Sequence, residues 1–291
     1  MIQELVILSG KGGTGKTSLA ASFAVLSGHS VIADCDVDAA DLHLVLRPSA
    51  RAWHSFSGGS EAVIRQEDCT CCGICYDLCR FDAVTMEPGV GSEPRFRVDS
   101  LACEGCGVCV RGCPVAAVDL VPKESGTWMV SDTAVGPLVH ARLGVAGENS
   151  GKLVSVVRAE ANRLAEEQGR PLVIIDGPPG IGCPVIASVT GASKALIVTE
   201  PTPSGEHDLE RVLSLLRHFS VPCWICVNKW DLNPEMTEQI ENLARAAGAR
   251  IAGRIHYDRT VTVSQMRQQA VVEGCSQAAR EIEAVWTRLG G

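Results

Sequence analysis

The sequence predicts an α/β protein, a mostly parallel, doubly wound sheet into which a small α+β domain is inserted. Three observations carry that expectation. An apolar run at residues 4–8 leads into a glycine loop and a helical run; short β-prone and helical segments alternate through the second half; nine of the 14 cysteines crowd between Cys69 and Cys113. The expected domains are 1–60 for the first part of the sheet, 61–122 for the insert and 123–291 for the second part.

The chain has 291 residues, 46% hydrophobic and 21% charged, enough for two packed domains and unlike a disordered chain. The longest uncharged stretch, 177–193, is broken by Pro178, Pro179 and Pro184, so no transmembrane segment is expected. No signal peptide is read at the start. With so many cysteines this predicts a cytoplasmic location, where metal ligation is favoured over disulfides. Net charge is -8, and residues 61–122 hold ten acidic and five basic side chains. Nucleic acid is therefore excluded as a partner.

The glycine loop reads Gly10-Lys11-Gly12-Gly13-Thr14-Gly15-Lys16-Thr17, a full match to GxxxxGK[ST]. Glycines let main-chain N–H groups turn inward, and the helix that follows adds its positive end, a combination that grips polyphosphate. Gly12, Gly13, Thr14, Gly15, Lys16, Thr17 and Ser18 are thus the candidate nucleotide-binding residues. Lys16 is expected to bridge the β- and γ-phosphates, and the Thr17 hydroxyl to take Mg2+. A second strand, 31–33, delivers Asp34, Asp36 and Asp38 at its carboxyl end, where ligands bind in open sheets; Asp38 is expected to cap the next helix. A third strand, 172–175, ends in Asp176 and Gly177-Pro178-Pro179-Gly180.

Lys11, the second lysine of the loop, makes Lys11-Gly12-Gly13-Thr14-Gly15-Lys16-Thr17 resemble the deviant phosphate loop of the MinD/ParA family, which includes Mrp-type carriers and the nitrogenase iron protein. The resemblance implies a P-loop NTPase sheet that binds ATP and Mg2+ and works as a face-to-face dimer, with itself or with a similar ATPase. By the same resemblance Lys11 reaches the partner's nucleotide, Asp36 positions the attacking water and Asp34 supports the magnesium shell. Asp176 takes the Walker B position, with switch II after it. Catalysis is thereby assigned to Lys11, Lys16 and Asp36, and the metal to Thr17, Asp34 and Asp176. Asn228-Lys229-Trp230-Asp231 resembles the family's adenine site, with Asn228 as base contact; because Lys229-Trp230-Asp231 is also similar to GTPase base readers, GTP stays open beside ATP.

The cysteines form two runs of one spacing: Cys69, Cys72, Cys75 and Cys79, then Cys103, Cys106, Cys109 and Cys113-Pro114. Two-residue gaps let three thiolates curl around one inorganic cube. The doubled pattern resembles bacterial two-[4Fe-4S] ferredoxins, in which the fourth cysteine of each run reaches the other cube. That implies one cluster on Cys69, Cys72, Cys75 and Cys113, and one on Cys103, Cys106, Cys109 and Cys79. Gly73, Gly105, Gly107 and Gly112 suit the tight backbone around such sites. Arg80 departs from the family's proline, and Cys71 is spare. Four-cysteine zinc sites are the alternative, though these pair two CxxC units across a longer gap.

Elsewhere, residues 46–60 read as a linker and 121–126 as a turn; 62–64, 83–86, 96–98 and 118–121 suit short insert strands. Residues 128–130 and 135–142 read as strands, and 152–167 as a helix with Leu153, Val156, Val157 and Leu164 inward. Polar residues 147–152 are read as loop and cap. Cys183 lies beyond Asp176 where the iron protein has a bridging cysteine, but no second one precedes it, so it is expected to be a buried packing residue. Strands at 195–199, 221–227 and 250–255 alternate with helices at 206–219 and 235–247. Cys223 and Cys226, on one strand, point to opposite faces and cannot share a ligand. His256-Tyr257-Asp258 is read beside the ribose. The terminal helix, 278–289, with Arg280 and Arg288 balanced by Glu281 and Glu283, is expected to pack on the sheet. Together these readings predict an ATP-gated redox protein acting on a redox or cofactor-acceptor protein. A cluster or metal-cofactor carrier and a MinD-like spatial organiser are the alternatives.

Overall fold

The computed structural model describes residues 2–88, 94–144 and 150–291. The chain divides into two compact units: Met1–His54, Trp128–Arg142 and Ser150–Gly291 form the first, and Ser55–Thr127, with a short return that begins at Leu143, the second.

The first unit opens with β1 (Gln3–Ser9), α1 (Lys16–Ser27), β2 (Ser30–Asp34) and α2 (Leu42–Leu46). Two long strands, β3 (Ser49–Ile64) and β6 (Val118–Thr133), carry the chain into the second unit and back. Next come β7 (Gly136–Leu143), α5 (Ser150–Glu167), β8 (Leu172–Pro179), α6 (Cys183–Val189), β9 (Lys194–Thr199) and α7 (Pro203–His218). The chain ends with β10 (Cys223–Asn228), α8 (Pro234–Ala246), β11 (Arg250–Ile255), α9 (Arg259–Met266) and α10 (Gln277–Arg288).

Among the described residues the sheet order is β11-β10-β9-β1-β8-β2-β7-β6-β3, and every pair from β11 to β7 is parallel. Such a sheet must be covered on both faces. Leu5, Ile7, Ile32, Ile174 and Leu196 face one core with Leu19, Phe23, Ile282 and Val285 of α1 and α10. Their strand neighbours Val6, Leu8, Val31, Val173, Ile175 and Ile197, on the opposite face by alternation, are equally buried, and α5 packs against β2 and β8. The terminal helix therefore packs on the sheet as expected. On α5, however, Val154 is buried where Val156 was expected to be.

Three local expectations fail. Residues 49–60 are strand rather than linker, because β3 is held by pairing with β6, and the Gly58 N–H donates to the buried Ser125 hydroxyl at 3.2 Å. Residues 121–126 do not turn: β6 runs straight through them, with Pro122 exposed on the strand. Asp38 does not cap α2; Asp41 holds that position, without a side-chain cap bond. Of the polar segment 147–152, residues 147–149 lie outside the described residues, while Ser150, Gly151 and Lys152 form the first turn of α5.

The second unit contains α3 (Ile74–Asp77), β4 (Val84–Pro88), β5 (Pro94–Val98) and α4 (Val108–Gly112), with β4 and β5 antiparallel. Its core is small: Ala62, Ile64, Cys75, Val84, Phe96 and Val118, with further cysteines packed against it. A core of that size supplies little stability by itself, the setting in which small domains rely on metal ligation.

Candidate functional site

The carboxyl ends of β1, β2, β8 and β10 deliver the residues singled out by sequence. The loop after β1 closes at Gly15, the N-cap of α1, at φ 98, where a Cβ would stand 2.6 Å from Nδ2 of Asn228. Glycine is thus required by both backbone and space. Asn228 Nδ2 donates to the Thr14 carbonyl at 2.8 Å, and its Oδ1 accepts from the Lys229 N–H at 3.0 Å. Asn228 therefore braces the loop through one amide N–H and one lone pair, each group keeping a second for another partner.

Above the loop opens a cavity of about 680 Å3, lined by Gly12, Gly13, Gly15, Lys16, Thr17 and Ser18, by Asp36, Asp38 and Asp41, by Pro178 and Pro179, and by Gln265. That volume suits a small-molecule ligand. The free N-terminus of α1 and the ammonium of Lys16, a residue only 5% exposed, make it a receptor for anions.

Two carboxylates stand deeper. Asp34 and Asp176 are register partners on β2 and β8, both wholly or almost wholly buried. Asp34 accepts from the Asp36 N–H and the Leu42 N–H, both at 3.2 Å, and so ties the segment after β2 to the strand. Burial, then the Asp176 charge, raises its pKa well above the ordinary aspartate value. Neither oxygen of Asp176 has a hydrogen-bond partner, and the Thr14 hydroxyl is orphaned as well. Burial pushes Asp176 up to about 7 against the opposing Lys16 charge and the nearby Thr17 hydroxyl. A buried carboxylate without a partner beside a phosphate-binding loop is the donor that a hard cation such as Mg2+ satisfies. Asp36, half-buried on the cavity wall, is also raised by burial, with Lys16 opposing.

In the second unit the cysteines sort into two cavities. One is lined by Cys69, Cys72, Cys75 and Cys113; the other by Cys79, Cys103, Cys106 and Cys109. The fourth cysteine of each run thus lies with the first three of the other. Backbone N–H groups donate to four of the sulfurs: Cys71 to Cys69 Sγ at 3.4 Å, Ala117 to Cys113 at 3.2 Å, Ala83 to Cys79 at 3.3 Å and Ala62 to Cys103 at 3.5 Å. Burial pushes the Cys75 and Cys109 thiols up, so a positive group is needed to hold their thiolates. Four thiols per cavity with N–H donors to sulfur is a donor set that fits an iron–sulfur cluster. Among the described residues no set of three His, Cys, Asp or Glu side chains is arranged to hold a single metal ion. Gly73, Gly105 and Gly107 have positive φ, and a Cβ on Gly105 would meet the Ser60 carbonyl at 2.2 Å. Gly112 does not; it is small because Leu78 packs against it.

The model of the CobQ/CobB/MinD/ParA nucleotide-binding domain matches residues 5–271. The chain belongs to that family. An uncharacterised protein of Methanocaldococcus jannaschii is 35% identical over 242 residues, 80% of each chain. The septum site-determining protein MinD of Pyrococcus horikoshii, solved in complex with Mg-ADP, superposes with a TM-score of 0.60 at 16% identity, covering 99% of this chain and 96% of that one. A stretch of 57 residues, 18% of this chain and 44% of the relative, is 37% identical to subunit I 2 of the NADH-quinone oxidoreductase of Geobacter metallireducens.

Within this member of the MinD/ParA family, Lys11 does not line the cavity. Its ammonium pairs with Glu200 at 3.5 Å and donates to the Thr202 and Ser204 hydroxyls at 3.3 Å each. No sequence spacing signals that arrangement. Cys183 is exposed at the start of α6, correcting the expectation of a buried packing residue; a Cβ on Gly151 would stand 3.2 Å from the Cβ and the backbone of Cys183. Cys223 is half-buried and Cys226 buried on β10. His256 is taken up by Glu281 and Trp230, the Tyr257 N–H by Asp231 and Asp258 by the cap of α9, so none of the three lines the cavity. Gln265, which lines it and donates to the Ser18 hydroxyl at 2.9 Å, was not foreseen from sequence. Among the described residues no helix is long and apolar enough to cross a membrane.

Proposed function

We propose that this family member is an ATP-hydrolysing dimer whose cysteine-rich unit holds two [4Fe-4S] clusters and couples nucleotide turnover to electron transfer. The observation that carries the reading is the sorting of eight cysteines into two four-thiol cavities, in a chain that also builds a phosphate-binding cavity. Support also comes from the short likeness to an oxidoreductase subunit.

Loop N–H groups and Lys16 bind the β- and γ-phosphates. Thr17 and Asp176 would hold Mg2+, whose charge would neutralise phosphate oxygens, and Asp34 fixes the segment that carries Asp36. Asp36 orients the attacking water and accepts its proton, while Lys11 of one protomer reaches the nucleotide of its partner. In the insert, Cys69, Cys72, Cys75 and Cys113 would hold one cluster and Cys79, Cys103, Cys106 and Cys109 the other. Clusters bound there supply one-electron chemistry. The chain shields them, with only Cys72 and Cys106 exposed among the eight. The exposure of one thiol in each cavity favours a second reading, a carrier that hands a cluster to an acceptor protein.

Oxygen-free purification followed by iron and acid-labile sulfide counting tests the cluster assignment. About eight of each per chain are expected; zinc without sulfide would overturn it. Transfer of iron and sulfide together to an apo-acceptor would establish the carrier instead.

A further inference from the structure

Glu200, the residue after β9, holds two lysines at once. One carboxylate oxygen stands 3.5 Å from the Lys11 ammonium and the other pairs with the Lys229 ammonium. The Glu200 side chain is 14% exposed, whereas the two lysines are about one-third exposed. The Thr202 and Ser204 hydroxyls complete the seat of Lys11.

We infer that Glu200 is a positioning residue that stores Lys11 within its own chain and sets the threshold for its transfer to a partner's nucleotide. The inference rests on the dimer reading above. Stranding a half-buried carboxylate without a counter-charge is costly, so a lysine seated on a lone glutamate would be hard to release. Here Lys229 stays behind and keeps Glu200 neutralised. The sharing has a directional consequence. Removing the Glu200 charge frees Lys11 and favours the dimer; removing Lys229 leaves Lys11 as the carboxylate's remaining lysine and disfavours it. Because Lys229 follows the residue that braces the phosphate loop, the store also links the loop after β10 to the readiness of Lys11.

The test uses the full chain, purified without oxygen, with saturating Mg2+ and a non-hydrolysable ATP analogue, and measures the dimer dissociation constant by sedimentation equilibrium. Glu200→Gln should tighten the dimer about 5-fold, the lower end of ordinary coupling between sites, and Lys229→Met should weaken it. Any other pair of results overturns the inference. Lys11→Ala separates the two levels: if it abolishes the dimer while Glu200→Gln leaves it unchanged, storage fails and the dimer reading stands. If Lys11→Ala dimerises as the wild type does, Lys11 does not hold the partner's nucleotide and the storage fails with that role; a wild type that stays monomeric would instead sink the dimer reading.

Discussion

The side-chain amide of Asn228 donates to the backbone carbonyl of Thr14 at 2.8 Å, so the end of β10 supports the phosphate loop after β1. Asn228→Ala should lower the melting stability of the nucleotide-free protein by about 1 kcal/mol, the usual worth of one hydrogen bond, and weaken ATP binding about 10-fold through a looser loop. Calorimetry with and without nucleotide checks both. A variant that loses ATP affinity with its nucleotide-free stability unchanged would return Asn228 to a direct base contact.

Asp36 lines the cavity and Asp34 does not, although they are two residues apart. Asp36→Ala is therefore expected to cut turnover by about 100-fold, the scale of a lost general base, with ATP affinity nearly unchanged. Asp34→Ala should weaken both, because it releases the N–H groups of Asp36 and Leu42. Phosphate-release rates and equilibrium binding distinguish the two patterns.

His140 on β7 is buried, with its Nε2 2.9 Å from the Ser131 hydroxyl. Burial, then the His43 and Arg142 charges, lower its pKa from 6.5 to about 4. The unfolded chain then binds more protons than the folded one between those values. The stability this group contributes is complete above pH 6.5 and is lost as the pH falls towards 4. At most it amounts to about 3 kcal/mol. Melting temperatures at pH 7 and pH 5 should differ less in His140→Gln than in the wild type; an equal difference would mean that His140 is not the group responsible.

The two cysteine cavities predict which substitutions share a phenotype. Cys113→Ser should remove the same cluster signal as Cys69→Ser, and Cys79→Ser the same as Cys103→Ser, each with loss of about four irons. Electron paramagnetic resonance of the reduced variants reads this directly. If Cys79→Ser and Cys69→Ser removed one common signal instead, the fourth cysteines would not cross.

Residues that are close in sequence were the legible ones. The loop from Gly10 to Thr17, Asp34 and Asp176 at strand ends, and the doubled cysteine spacing each announce themselves within a few residues. What escaped depends on distant partners. Residues 49–60 look like a loop because their strand is mostly exposed and glycine-containing, and only pairing with β6 makes it a strand. Pro122 suggests a turn because proline lacks an N–H, yet β6 accommodates it at an exposed position. The seating of Lys11 on Glu200 joins residues nearly two hundred positions apart, and no local pattern encodes it.

In the proposed function, nucleotide turnover and the electron-holding insert belong to one machine. The most direct measurement is the ATP hydrolysis rate of a single preparation with its clusters reduced, oxidised and removed. Coupling of ordinary size predicts that the reduced and oxidised rates differ by about 5-fold or more. The same rate in all three states would contradict it.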